Sequence, residues 1–541
     1  MMMIGGELTA MRLRTRYLAV VAVLLAAVLA ACSSGSGSST GGTATSQTPQ
    51  RGGTLTYLVS GLLASWDLGL DPASGGDVPS IYEDAIFGQL FRLTPSGGIE
   101  PVLASGYTVS DGGTVVTIAL RQGLKFTDGT PFNAQAVIWN INRDLSTPCA
   151  CSPGTSWPSL AKTGGITAPS DYTVQLKFTR AYAGVISALI TSSVNHIASP
   201  ASVQQMGEKK FMITPVGAGP FEVVSDVVDS ELTLKRNPGY YAKGLPYLDG
   251  LVFKTVSNDE SAYEALEAGN GQAAQMTTPV IIQQARSNPG YSVLITKGTS
   301  PTLIQLNTAA PPFNNKLARE AIYYATDAPA IVAHLYDNMF PSAESFLGPG
   351  GLYYEPTVPG YPAYNLAKAK QLVSQLGGIT VTLFGPNDPV STETEEALRD
   401  QWQQAGMRVT IQPDSLDAQI QEFGKKNWQA ALGEDGAFDP SVSAGLSFRF
   451  GSTAQFSGVH DPVLDSMMAQ AAATFDATQR AKIYANIAAY ITSQAYAPFI
   501  VATAPVAVTA KGVYGPGLTS DIPVPSVVIS PYWDQVWIAK T

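Results

Sequence analysis

Cysteine, histidine and charge are all scarce in this chain of 541 residues. It has three Cys and three His, and Asp, Glu, Lys and Arg together make up 14%, well below the roughly 25% of ordinary soluble chains. His196, His334 and His460 are far apart, with no HExxH or paired-ligand spacing. Each reads as a structural or surface histidine, and no metal is expected. Basic runs are missing as well. With 32 Lys and Arg against 42 Asp and Glu, the net charge of −10 offers no field to gather a polyanion, which excludes nucleic acid as a partner. The one GxSxG match, Gly37 to Gly41, sits in a Gly/Ser stretch with no strand before it and no helix after it. It is no nucleophile elbow. With no GxxxxGK[ST] loop either, the chain shows no catalytic apparatus and implies no cofactor.

What is plentiful is apolar material. Hydrophobic residues make up 45% of the chain, enough for large cores, and the length suits about three or four domain-sized units. The longest apolar run, Tyr17 to Ala31, follows Arg12, Arg14 and Arg16. It falls short of the roughly 20 residues that a bilayer span needs and has the charged and hydrophobic regions of a secretory signal. It ends at Leu29-Ala30-Ala31-Cys32. This resembles bacterial lipoprotein signals, which implies cleavage before Cys32, lipid on its thiol and a body held on the outer face of the cell membrane. Met1 to Ala10 then read as an over-long start. Residues 32–50 form a Gly/Ser/Thr-rich tether, and loss of residues 1–31 leaves a net charge of −12.

Beyond the tether, period-two alternation marks strands at 54–60, 113–121, 171–178, 229–236, 379–385 and 407–412. Helical spacing marks 133–145, 258–269, 314–327, 365–377, 392–406 and 478–495. The interleaving predicts an α/β fold with mixed sheets flanked by helices. Asn365 and Thr392 are placed as N-caps, Thr392 with Glu395 as a capping box, and Gly377 and Gly406 as left-handed helix ends.

Five blocks in order carry a family resemblance: RGGTLTY (51–57), IEPVLASGYTVSDGGTVVTIALRQGLKFTDGTPFNAQAVIWN (99–140), VGAGPF with LKRNPGYY (216–241), IQLNTAAPPFNNKLAREAIYYATD (304–327) and YITSQAYAPFI (490–500). The body resembles the bacterial extracellular solute-binding proteins of family 5, the oligopeptide, dipeptide and nickel-binding group that feeds ABC importers. The resemblance implies a two-lobed periplasmic-binding-protein-like clamp (type II) with an extra inserted domain. Lobe I is expected at 51–95, 214–304 and 495–541, the inserted domain at 96–213 and lobe II at 305–494. The implied protein is a monomer that closes on its ligand by hinge motion and hands it to an ABC permease with separate ATPase subunits. Gly217, Gly219, Pro220, Asn237 and Pro238 are expected to shape turns.

Peptide binders of this family pair the ligand's α-ammonium with an Asp in a segment similar to residues 430–441, AALGEDGAFDPS. The resemblance therefore makes Asp435 the candidate carboxylate, with Glu434 as the alternative, and makes Ala431, Leu432 and Gly433 the strand that pairs with peptide. Leu432 stands where an aromatic is usual, and Asp435 lies four residues before Asp439-Pro440, one more than the pattern. Asp439 reads as a turn residue. On the opposite lobe Val59, Ser60 and Gly61, with Trp66 and Asp67, are candidates for the facing wall. A short peptide is the expected ligand. A sugar, an opine or a nickel or other metal chelate is the alternative, and a sensory or adhesion lipoprotein of the same fold is a second. Cys149 and Cys151 are expected to form a local disulfide, with a metal pair as the other reading.

Overall fold

The computed structural model describes residues 48–60, 81–146, 157, 160, 164–434, 437–442, 445–454, 456–524 and 528–540. Cys32, Cys149, Cys151, Gly61, Trp66, Asp67 and Asp435 lie outside the described residues, as do the side chain of Ser60 and all of residues 1–47.

Residues 49–541 form one compact unit built on three main sheets. The first has seven strands in the order Tyr291–Ile295, Val506–Ala510, Ala273–Met276, Thr54–Ser60, Gly250–Val256, Glu231–Arg236 and Phe221–Val227. Its middle trio, Ala273–Met276, Thr54–Ser60 and Gly250–Val256, is parallel, and the outer strands are antiparallel to their neighbours. Tyr57, Tyr82, Phe253 and Trp533 pack edge to face under this sheet, with ring centroids 4.8 to 5.5 Å apart for Tyr82–Phe253, Phe253–Trp533 and Tyr57–Trp533. The indole of Trp533 donates to Ile81 O at 2.7 Å, so its one polar atom is satisfied inside the core.

The second sheet has five strands: Arg408–Asp414, Thr380–Pro386, Ala430–Glu434, Ser300–Leu306 and Phe499–Thr503. The first three run parallel and the last two are antiparallel to their neighbours. Helices Lys316–Ala325, Ala328–Leu335, Leu366–Gln375 and Pro389–Gln404 belong to the same body. Their apolar faces pack around Trp402, which is fully buried and donates its indole N–H to Thr326 Oγ1 at 3.1 Å. A four-stranded antiparallel sheet, in the order Ala104–Ser110, Val115–Leu120, Thr173–Lys177 and Ile166–Ser170, makes a third body with helix Ala134–Ser146 against it.

The chain passes between the seven- and five-stranded sheets twice, at 296–299 and at 504–505. Ser300–Leu306 and Phe499–Thr503 both pair in the five-stranded sheet, so these passages lie several residues from the 304 and 495 boundaries expected from sequence. Thr296 Oγ1 donates to Pro505 O at 2.8 Å. A β-carbon on Gly298 would collide with Thr503 O, so the two passages run in backbone contact and form a double hinge.

Local sequence explains most helix ends. Asn133, Asn258 and Asn365 each accept a backbone N–H of the first turn, from Ala136, Ser261 and Lys368 at 2.9 to 3.0 Å. Gly377 and Gly406 have φ of 73° and 92°, the left-handed ends anticipated. The helix expected from Thr392 begins earlier. Asp388 is its N-cap, accepting from Ser391 N at 3.0 Å, and Pro389 opens the first turn. An Asp followed by Pro is the stronger start signal, and it leaves Thr392 and Glu395 inside the helix with no capping box.

The turn residues of the VGAGPF and LKRNPGYY blocks hold backbones together. Asn237 Nδ2 donates to Gly219 O at 2.8 Å and its Oδ1 accepts from Gly239 N at 2.8 Å. A β-carbon on Gly219 would lie 2.6 Å from Ile86 O and 2.7 Å from Gly88 N. Gly219→Ala is therefore expected to destabilise the protein by about 1–3 kcal/mol through overpacking, read as a lower urea midpoint at unchanged slope. An unchanged midpoint would mean that the two backbones are not in contact.

Candidate functional site

In open α/β sheets, ligands sit beyond the carboxyl ends of the parallel strands. For the five-stranded sheet those ends are Pro386, Asp414 and Glu434, followed by Asp388 at the helix cap. The same end of this sheet holds Ser300 and Thr503, where the double hinge joins. For the seven-stranded sheet the corresponding ends are Ser60, Val256 and Met276.

Glu434 closes its strand opposite Thr302. Its Oε1 lies 3.5 Å from Thr503 Oγ1, at the limit of a hydrogen bond. Desolvation raises the Glu434 pKa, Asp388 raises it further, and Arg449 and Thr503 oppose them. The side chain nevertheless keeps substantial exposed area. Glu434 is thus an exposed residue at the strand end, with Thr503 and Arg449 beside it. Among the described residues its carboxylate makes no ion pair. Arg449 instead donates to the backbone carbonyl of Glu434, from Nη2 at 2.9 Å and Nε at 3.3 Å. This arrangement needs Gly433, where a β-carbon would come within 2.8 Å of Arg449 Nη2.

Other candidates are placed differently from expectation. Ala431 and Leu432 are buried, at 1% and 3% exposure, and their strand is the middle one of its sheet. Ala431 has Phe384 on one side and Gln305 on the other, and Leu432 pairs with Ile304. An added peptide strand needs a free edge, and Ala431 has none. From Leu432 onward only the Thr380–Pro386 side is without a paired partner. There Leu432 is closely approached by Gly385, whose β-carbon would sit 2.9 Å from Leu432 Cβ. Val59 is buried in the core of the seven-stranded sheet. The backbone of Ser60 pairs with Val256.

Sequence reasoning missed a second acidic group near this strand end. Glu395 is fully buried, neither carboxyl oxygen has a hydrogen-bond partner, and a β-carbon on Gly385 would collide with its Oε1. Burial, then Asp414 and Asp388, push its pKa up to about 8. The only signal available in the sequence was the Asp388-Pro389 helix start, which turns Glu395 inward.

The three histidines lie apart from one another, one buried and two exposed. His196 is buried with Nε2 at 2.7 Å from Asp84 Oδ1 and Nδ1 at 3.4 Å from Glu83 Oε2, while His334 and His460 are exposed. No group of three His, Cys, Asp or Glu suited to a metal occurs among the described residues. Asp439 does more than shape a turn. It is buried and pairs with Arg480 Nη2 at 2.8 Å.

Two α/β lobes on a double hinge, with a third body inserted in the first, define a type II solute-binding clamp. The chain belongs to the bacterial extracellular solute-binding proteins, family 5, whose model matches residues 98–457. Among curated relatives it is 29% identical over 438 residues to the glutathione-binding protein GsiB of Escherichia coli K12, covering 77% of this chain and 83% of that protein. Solved structures of the same fold include the periplasmic binding protein DppA of Helicobacter pylori with the peptide STSA, at TM-score 0.76 and 21% identity, covering 91% of this chain and 99% of that one. They also include AgaA of A. tumefaciens R10 with agropinic acid, at TM-score 0.73 and 22% identity, covering 90% and 99%. These relatives are named as binding proteins rather than as enzymes. Among the described residues no helix is long and apolar enough to cross a membrane.

Proposed function

We propose that this protein captures short peptides outside the cell membrane and delivers them to an ABC permease, with no chemistry of its own. The observation that carries the reading is Glu434, a crowded carboxylate at the carboxyl end of its strand, beside the hinge and without an ion pair among the described residues. Such a group favours a cation that enters the cleft, and the α-ammonium of a peptide is one. Pairing would also restore the ionised form that desolvation and Asp388 disfavour. The naming of GsiB for glutathione, a tripeptide with a free ammonium, supports the same ligand class. Glu434 pairs with the ammonium in this reading, with Asp435 as the alternative carboxylate in the same segment.

Charge-assisted pairs contribute about 1.5–3 kcal/mol, so Glu434→Gln and Asp435→Asn together should weaken a free N-terminal peptide by at least tenfold in calorimetric titration. The N-acetylated form should change by less than twofold. Equal losses on both peptides would remove the ammonium role. Mass spectrometry of molecules that co-purify with the full chain separates peptides from an opine, a sugar or a metal chelate.

The anchoring reading rests on Leu29-Ala30-Ala31-Cys32. A diacylated Cys32 supplies the hydrophobic attachment, and Cys32→Ser should move the protein from the membrane fraction to the soluble one. Retention at the membrane would exclude the lipid.

A further inference from the structure

The loop that follows Glu434 does not stay with its own sheet. Ala437, Phe438 and Val442 are buried in the hydrophobic cluster of the inserted domain, together with Ile118, Val185 and Ile186. Around them the contacts are polar and specific. Tyr182 donates its hydroxyl to Ser441 O at 2.9 Å, and Ala183 N donates to Ala472 O at 2.7 Å. Gly184 provides the seat: a β-carbon there would strike Ser441 Oγ and lie 3.3 Å from Asp439 Oδ2 and Arg480 Nη2. On the lobe II side Arg480, from helix Ala477–Gln494, holds Asp439 Oδ1 at 2.8 Å and Ser441 Oγ at 2.7 Å.

The same loop is tied back to the hinge. Leu352 N donates to Phe438 O at 2.7 Å, and Tyr353 stacks on Tyr484, with ring centroids 5.3 Å apart, beside Arg480. A few residues earlier, Gly350 N donates to Gly298 O at 2.9 Å and Gly348 N to Thr299 O at 3.2 Å. Residues 348–353 thus run from the double hinge to the loop that the inserted domain grips.

We infer that the inserted domain is the latch of the clamp, capturing residues 437–442 of lobe II on closure and so fixing the ligand-side end of strand Ala430–Glu434. Part of the free energy of closure then comes from a contact between protein groups rather than from the ligand. A ligand of modest affinity can therefore be held shut, because the latch adds to whatever differential contacts the ligand makes. The inference rests on the clamp reading above and does not require the ligand to be a peptide.

Hydrogen exchange of the full chain with its co-purified solute bound, the state in which the clamp is shut, tests it. Gly184→Ala places a methyl in the seat from the inserted-domain side and leaves lobe II untouched. Exchange at 181–184 and 437–442 should rise together by at least tenfold, while Ser300–Leu306 keeps its protection. Phe438→Ala repeats the test from lobe II by removing atoms only, which guards against a folding failure in the first variant. In a separate arm, whatever solute co-purifies should dissociate at least tenfold faster from both variants. No rise in exchange, or a rise confined to one of the two segments, overturns the latch. A failure of the peptide reading would appear only in the identity of the bound solute.

Discussion

Between about pH 4.5 and pH 8 the protein is expected to lose several kcal/mol of stability, and Glu395→Gln to lose much less. The Glu395 carboxyl is buried without a hydrogen bond, and its pKa stands at about 8 against an ordinary 4.5. Over that window the folded chain keeps a proton that the unfolded chain has released. The unfolded state is therefore favoured progressively as pH rises, by about 1.4 kcal/mol per pH unit, and the loss levels off above the folded pKa. Below pH 4.5 both states are neutral and the group contributes no slope. Asp128 and Asp461, whose pKa values are lowered, act in the opposite sense at more acidic pH and are common to both proteins. Urea midpoints at pH 5, 6.5 and 8 for the wild type and the variant isolate Glu395. Parallel pH profiles would show that water or a cation reaches the carboxyl in solution.

The second large effect is expected at Arg480. Both partners of the Arg480–Asp439 pair are buried, with side chains at most 5% exposed. Arg480→Leu leaves Asp439 with its charge desolvated and should cost about 3–5 kcal/mol. Removing both charges, as Arg480→Leu with Asp439→Leu, should cost clearly less than the sum of the single changes, because no lone charge is left behind. Denaturant unfolding of the four proteins gives the coupling directly. Additive costs would mean that water separates the two groups, and a loss below 1 kcal/mol for Arg480→Leu would mean that the pair is solvated.

Particular residues show how far the sequence could be followed. Helix ends were legible where one side chain bonds within its own turn, as at Asn365, and where a glycine takes a left-handed conformation, as at Gly377 and Gly406. The five blocks identified the family because turn residues such as Asn237 and Gly219 meet stringent local geometry. The site was less legible, because its properties depend on distant segments. Whether Ala431 is an edge or a middle residue depends on Gln305 and Phe384, and nothing in AALGE encodes those neighbours. The burial of Glu395 against Gly385 depends on where its helix begins. The grip on Phe438 comes from residues more than 200 positions earlier in the chain.

The strand order of the two large sheets also bears on export. Strand Val506–Ala510 lies between Ala273–Met276 and Tyr291–Ile295, and Phe499–Thr503 completes the other sheet beside Ser300–Leu306. Neither sheet can close until the last few dozen residues of the chain are available. Pairings of such long sequence separation form slowly. This topology delays folding until nearly the whole chain is present, which suits a member of an extracellular family. Moving the 499–510 region to the front of the chain by circular permutation should therefore speed refolding in vitro.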